Sequence, residues 1–310
     1  MDVVISLNYD YLMPATVMLC SLFENNNADK ITVHVLLGKG GDNCVDVLRN
    51  ISNQYGQSIC FYDMKRQNLI YLPTDRNGQR SNISIETYYR LFLTDVLPQT
   101  ISKILYLDCD IVVDQNLREL YNVDIDSYAL AAAPDLLNND VHNANRLKYD
   151  TIYGYFNAGV LMINLDYWRK KNVKERFVSV IESNIGNLKY HDQDVLNYVF
   201  HDVRKELPLK FNFQTTFLFK DTYRFLSYKY HQEVLNTKNH AAVIHFTEDK
   251  PWLYDSPNPM NVFFMKYQNL TIYKGLRIKR KVSIKNRIIH TILCIQRKSF
   301  SYYKSNYDNY

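Results

Sequence analysis

Several features that would assign a chain to a large structural class are missing here. No apolar run among the 310 residues approaches the roughly 20 residues that a membrane-spanning helix needs. The start, MDVVISLNYDYL, has neither a basic leader nor a long apolar stretch and turns almost at once into a strand pattern, so no signal peptide is expected. Cys20, Cys44, Cys60, Cys109 and Cys294 are odd in number and widely scattered. Without close pairs they form neither a disulfide framework nor a thiolate zinc site, and they read as reduced cytosolic thiols. Acids are absent from Ser256 to Tyr307, a stretch that carries eleven Lys and Arg. The net charge of +5 therefore hides two unlike parts, because residues 1–255 hold 26 basic and 31 acidic side chains, a balance of −5.

What is present is alternation of strands and helices. Asp2 to Leu7 reads as a strand, and Tyr11 to Glu24, with Pro14 in its first turn, as a helix. A strand over Ile31 to Leu37, a helix around Val45 to Gln54 and a strand over Ser58 to Tyr62 follow. This order predicts an α/β chain with a mostly parallel sheet flanked by helices, and ligands at the carboxyl ends of the strands. Ile85 to Val96 has helical spacing with Ser84 before it as a cap; Tyr128 to Ala133 and Phe156 to Leu165 read as buried strands. Asp166 is expected to cap a helix running to about Ser183, 190–199 to start polar and continue helically, and 241–246 to form an apolar strand ending near His245. No repeat or low-complexity block precedes residue 256, so 1–255 is read as one domain and 256–310 as a separate basic tail.

The chain is organised around Lys103 to Asp114, KILYLDCDIVVD. Asp108 and Asp110 stand where a buried strand should end, and alternation of side chains lets both carboxylates face one way. Oxygen donors at such a terminus suit a divalent cation carrying a phosphorylated ligand. Spacing alone says little, since Asp-x-Asp arises by chance about once in a chain of this length at ordinary composition. Asp124/Asp126 in an expected surface loop and Asp192/Asp194 near an expected helix start have it too. Only the 108/110 pair follows a buried strand. His245, at the end of another, is the natural third ligand, and two carboxylates with one imidazole suit Mn²⁺, with Mg²⁺ the alternative. The bland readings are a packing histidine and, for Lys250, a solvated surface lysine.

SLNYDY at 6–11, NISIETYYRLFL at 82–93, ILYLDCDIVV at 104–113, YFNAGVLMINLDYWR at 155–169, YHDQDVLN at 190–197 and HFTEDKPW at 245–252 together resemble glycosyltransferase family 8, above all its bacterial lipopolysaccharide and lipooligosaccharide galactosyl- and glucosyltransferases. The likeness is collinear over roughly residues 1–255. It implies a GT-A fold, a UDP-galactose or UDP-glucose donor, Mn²⁺, and transfer with retention of configuration to a surface glycan. By motif, Asp108, Asp110 and His245 would hold the metal, and Ser6, Asn8 and Tyr11 would meet the uridine. Arg90, Asp135, Asn157, Ala158, Asp192 and Gln193 would surround the donor sugar, Lys250 would contact the diphosphate, and Asn82 and Tyr190 would face the acceptor.

Gln193 then stands nearest a catalytic role. A neutral amide is a poor nucleophile, which favours front-face attack with Gln193 stabilising the oxocarbenium-like centre; Asp192 or Asp135 as nucleophile stays open. Helix capping is the plain structural alternative for Asp192. The chain departs from the family in having Asn8 where Asp is usual, and in Thr247-Glu248-Asp249, which is one residue shorter and lacks a glycine.

Tyr273 to Tyr303 mixes basic residues with Ile, Leu, Val, Phe and Tyr. It reads as a basic amphipathic helical tail that docks on an anionic membrane, putting the enzyme on the inner face of the cytoplasmic membrane beside a lipid-linked acceptor. Its plain alternative is a solvated helix packed on the domain. Nucleic acid is not an expected partner, because the acidic body repels a phosphate backbone. Two other readings compete: a haloacid-dehalogenase-like phosphatase using Asp108-Cys109-Asp110, and a catalytically silent glycan- or membrane-binding protein.

Overall fold

The computed structural model describes residues 1–66, 72, 75–76, 79–80, 85–184, 188–219 and 225–279. Ser84, Asn82 and the tail beyond 279, with its expected helix, lie outside them. A seven-stranded sheet is built from β1 (Asp2–Leu7), β2 (Thr32–Leu37), β3 (Ser58–Asp63), β4 (Lys103–Leu107), β6 (Leu130–Pro134), β7 (Phe156–Asn164) and β8 (Arg204–Glu206). Their order across the sheet is β8-β6-β7-β4-β1-β2-β3. A small second sheet joins β9 (Phe213–Gln214), β10 (Val243–His245) and β5 (Ile111–Val113) in the order β9-β10-β5.

The sheet is parallel as the alternation predicts, with one exception. Strand β7 runs antiparallel to both β4 and β6. Its register places Leu107 opposite Val160, so the amino end of β7 lies beside the carboxyl end of β4. Ligand-side residues therefore come from the start of β7, and Asp108 N–H donates to Gly159 O at 2.8 Å.

Alternation along the strands sorts side chains onto two cores. Val3, Ile5, Leu7, Leu105 and Leu107 pack on one face with α1 (Leu12–Asn25) and α2 (Val45–Gln54). Val4, Ile104 and Tyr106 pack on the other with α3 (Val173–Asn184) and α4 (His191–Phe200). The same alternation continues past the end of β4: Cys109 joins the first core, and Asp108 and Asp110 do not. Helix α1 is buried nearly all round because its Met13 and Val17 meet a third cluster under the small sheet. Thr16 and Ser21 can sit there because their hydroxyls donate back to Leu12 O and Met18 O, at 2.8 and 2.7 Å. Helix α5 (Asn261–Gln268) lies beyond the expected boundary at 255 and packs into that third cluster through Phe264 and Tyr267.

Three expectations differ in detail. Ile85–Phe92 is a 3-10 helix with only Leu93–Val96 α-helical. The long helix after β7 is two helices, Leu165–Lys170 and α3, broken where Asn172 takes the left-handed conformation at φ 46°. Its cap is Asn164, whose side chain accepts from Tyr167 N–H, rather than Asp166. A carboxamide at that position meets the free N–H groups of the first turn directly.

Candidate active site

Two adjoining chambers open at the carboxyl ends of the parallel strands, with volumes of about 310 and 550 Å³. Thr87, Arg90, Asp108 and Asp110 line both and form the wall between them.

The turn from β4 to β5 supplies the carboxylates of that wall, and the end of β10 supplies His245. Ligand atoms of Asp108, Asp110 and His245 all lie within 4.8 Å of one another. His245 Nε2 stands 3.4 Å from Asp110 Oδ1 and 3.8 Å from Asp108 Oδ2. Gly159 makes room for this: a Cβ there would sit 2.2 Å from His245 Cε1 and 2.9 Å from Asp108 Oδ2. Burial acts to raise the Asp110 pKa, but the Lys250 ammonium and His245 outweigh it and hold the carboxyl well below the usual carboxylate range. Lys250 Nζ donates to Asp110 Oδ2 at 2.5 Å and to Phe246 O at 2.6 Å, leaving Oδ1 toward His245. Burial opposes the Lys250 charge, yet Asp110 raises its pKa above the ordinary value. A compact set of two carboxylates and one imidazole is the donor chemistry that suits Mn²⁺ or Mg²⁺.

Arg90 ties the wall together. Its Nη1 donates to Ala158 O at 2.5 Å and its Nη2 to Asp108 Oδ1 at 2.8 Å, while Nε lies 2.9 Å from Asp192 Oδ2. Its guanidinium sits 4.1 Å from the centre of the Tyr106 ring. Burial works against the charge, but Asp108 and Asp192 overcome it and keep Arg90 protonated. Asp192 does not gain equally: burial lifts its pKa to about 6, with Arg90 opposing and Asp108 adding. The two carboxylates share one guanidinium, and the more deeply buried of them bears the desolvation cost.

The smaller chamber holds Ser6, Asn8 and Tyr11. Ser6 Oγ lies 2.9 Å from Tyr106 Oη, which donates to Asp108 Oδ1 at 3.0 Å. Asn8 Oδ1 accepts from Asp10 N–H at 3.1 Å, and its amide donates to Glu86 Oε2 at 3.3 Å. Tyr11 meets Trp252 edge-on, with centroids 6.0 Å apart.

The larger chamber holds Asp135, Asn157, Ala158, Tyr190, Asp192 and Gln193. Gln193 is fixed at both ends, accepting from Ala158 N–H at 2.9 Å and donating to Asp135 Oδ2 at 3.3 Å. Asn157 Nδ2 donates to Asp135 Oδ2 at 2.8 Å, and burial keeps the Asp135 pKa above its ordinary value. Asp192 lies in the first turn of α4, but the cap position is Tyr190, so capping is not its role here. Glu248 is exposed at the chamber rim.

The structure thus brings together all the expected site residues among those it describes; Asn82 lies outside them. Sequence reasoning missed Glu86, Tyr106, Asn197 and Asn212. Glu86 Oε1 accepts from Lys39 N–H at 2.9 Å in a space that only a glycine at 38 leaves open. Asn197 brackets the start of β7, accepting from Phe156 N–H and donating to Phe156 O, both at 2.9 Å. A carboxamide between Phe211 and Phe213 was the available signal for Asn212, because a polar residue in an apolar run that is nonetheless buried must be hydrogen-bonded.

The family model described as glycosyl transferase family 8 matches residues 2–256. A lipopolysaccharide 1,2-glucosyltransferase of Escherichia coli is 30% identical over 282 residues, covering 89% of this chain and 80% of that protein. A putative glycosyltransferase of Haemophilus influenzae is 30% identical over 218 residues, covering 70% and 64%. The solved structure of the galactosyltransferase LgtC in complex with donor and acceptor sugar analogues superposes with a TM-score of 0.77 at 25% identity, over 93% of this chain and 99% of that one. With its GT-A architecture, this chain is a hexosyltransferase and belongs to glycosyltransferase family 8.

Proposed function

We propose that the protein transfers galactose or glucose, with retention of configuration, from a UDP-sugar to a bacterial surface glycan such as lipopolysaccharide or lipooligosaccharide. The observation that carries this is the position of the Asp108, Asp110 and His245 cluster at the wall between two chambers, where a diphosphate would join a nucleoside on one side to a hexose on the other. Mn²⁺, or Mg²⁺ in its place, would be held by these three residues. Bound there, the ion would supply charge neutralisation to the departing diphosphate.

The residues of the chain divide the remaining work. Ser6, Asn8 and Tyr11 receive the uridine, with Asn8 held in place by Asp10 and Glu86. Lys250 adds positive charge on the diphosphate side through Asp110. Asp135, Asn157 and Asp192 offer hydrogen bonds to sugar hydroxyls, and Arg90 keeps Ala158 and Asp192 in place. Gln193, anchored by Ala158 N–H and Asp135, places a neutral polar group beside the anomeric carbon. A carboxamide there stabilises developing positive charge without forming a covalent bond, which favours front-face attack over nucleophilic catalysis by Gln193. Tyr190 and Asn82 face the acceptor.

Release of UDP from UDP-galactose and UDP-glucose, measured separately with Mn²⁺ and without acceptor, tests this reading. Metal-dependent hydrolysis of one of them, lost on chelation and in Asp110→Ala, is expected. No turnover and no metal-dependent binding of either sugar nucleotide would overturn it.

We further propose that the enzyme works in the cytoplasm, on the inner face of the cytoplasmic membrane, with residues 1–255 as the catalytic domain and 256–310 as the membrane-associating part. Exposed Val262, Leu270, Ile272, Leu276 and Ile278 beside Lys274 and Arg277 support that docking. No helix among the described residues is long and apolar enough to cross a membrane. Co-sedimentation with vesicles containing anionic lipid, and its loss in neutral vesicles, checks it.

A further inference from the structure

A row of buried carboxamides links the larger chamber to His245, and each step in it has only one allowed polarity. Gly159 N–H donates to Asn157 Oδ1 at 2.9 Å, and since a backbone N–H can only donate, the orientation of the Asn157 amide is fixed. Asn157 Oδ1 lies 2.8 Å from Asn212 Nδ2, so Asn212 must turn its NH₂ toward Asn157. Asn212 Oδ1 then faces His245 Nδ1 at 2.9 Å. An amide oxygen can only accept, so the ring proton of a neutral His245 belongs on Nδ1. Nε2 is left with its lone pair directed at Asp108 and Asp110, 3.8 and 3.4 Å away. That is an unfavourable arrangement by itself and a favourable one around a cation. Asn212 is fully buried, and Asn157 Nδ2 secures the far end of the row on Asp135.

We infer that Asn212 is a positioning residue: its amide, oriented through Asn157 by the Gly159 N–H, holds His245 as the Nδ1–H tautomer and so keeps Nε2 as a metal ligand. This rests on the metal reading proposed above. A residue that merely filled space between Phe211 and Phe213 would leave the tautomer and the metal affinity unchanged when replaced by an apolar side chain of similar size.

The test uses full-length, ¹⁵N-labelled protein without metal, brought to a pH high enough that the His245 ring nitrogens report a neutral ring. Two-bond ¹H–¹⁵N correlations report the tautomer of each ring, and the His245 signals are assigned by their loss in His245→Gln. Nδ1–H is expected for His245 in the wild type. In Asn212→Leu that preference is lost and Mn²⁺ affinity, read from the electron paramagnetic resonance of free Mn²⁺, falls about 10- to 100-fold. Asn212→Asp keeps an oxygen facing Nδ1 and retains the tautomer, while its second oxygen, set 2.8 Å from Asn157 Oδ1 where the NH₂ stood, must carry a proton to remain there. An Nε2–H wild type, or an Asn212→Leu that binds Mn²⁺ as tightly as wild type, would overturn the inference. If Asn212→Leu does not fold, the wild-type tautomer still decides, because an Nε2–H ring overturns the inference. Wild-type protein that takes up no Mn²⁺ removes the metal reading and with it the ligand role, while the metal-free spectrum separately settles whether Asn212 sets the tautomer.

Discussion

The turn at 108–110 and the helix start at 192–194 carry the same Asp-x-Asp spacing and use it in opposite ways. The alternation of β4, carried past its end, sends 108 and 110 to the side opposite Cys109, so Asp108 and Asp110 converge on His245. On a helix residues two apart do not share a face, and the carboxylates of α4 diverge. Asp192 turns into the larger chamber and meets Arg90 at 2.9 Å. Asp194 turns away and is fully buried, accepting from Arg146 Nη1 at 2.6 Å, Tyr155 Oη at 2.7 Å and Tyr190 N–H at 2.7 Å. Backbone conformation, rather than spacing, decides whether two acids form one site or two. The third pair, Asp124 and Asp126, is exposed and only shapes its own loop, with Asp126 N–H donating to Asp124 Oδ1.

Substitutions across the pairs should separate accordingly. Asp110→Ala removes one proposed metal ligand of the converging pair, and UDP release should fall by about 10³-fold, equivalent to several kcal/mol of transition-state stabilisation. Asp194→Ala leaves Arg146 without its buried partner; urea unfolding should show a loss of about 3–5 kcal/mol. Folded Asp194→Ala protein should keep its Mn²⁺ affinity, and loss of metal binding would contradict the assignment of Asp194 to structure.

Smaller effects come from Asp192 and from the exposed loop. With its pKa lifted to about 6 by burial, Asp192 takes up a proton as pH falls below that value. The ion pair with Arg90 is then lost, and kcat/KM should drop on the acid side, a limb absent in Asp192→Asn. The stability effect has the reverse sign. The folded chain holds this proton more tightly than the unfolded one, so the contribution of Asp192 is full below about pH 4 and is lost as pH rises through 6. Asp126→Asn should change stability by less than about 0.5 kcal/mol and leave turnover untouched. A large effect there would contradict the assignment of this pair to its own loop.

Much of this was legible in the sequence because period and position carry it. Strand β1 occupies the expected residues, and the alternation from Ile104 to Asp110 was enough to place both carboxylates on one side. Direction was not legible: AGVLMI, between Asn157 and Asn164, is apolar throughout and reads the same whether its strand runs with or against its neighbours. Its antiparallel course is set by pairing with β4 and β6, which no local pattern encodes. The break at Asn172 depends on a single left-handed residue, and asparagine adopts that conformation without any periodic signal. Asn212 escaped for a related reason: its partners at 157 and 245 are adjacent only after two sheets meet.

The proposed divalent-metal site of Asp108, Asp110 and His245 would serve both chambers. Titration of Mn²⁺ in the presence of UDP into wild type, Asp126→Asn and Asp110→Asn tests it most directly. A single Mn²⁺ site in wild type, preserved in Asp126→Asn and lost in Asp110→Asn, is the predicted result. Binding that survives unchanged in Asp110→Asn, or none in the wild type, would contradict the account.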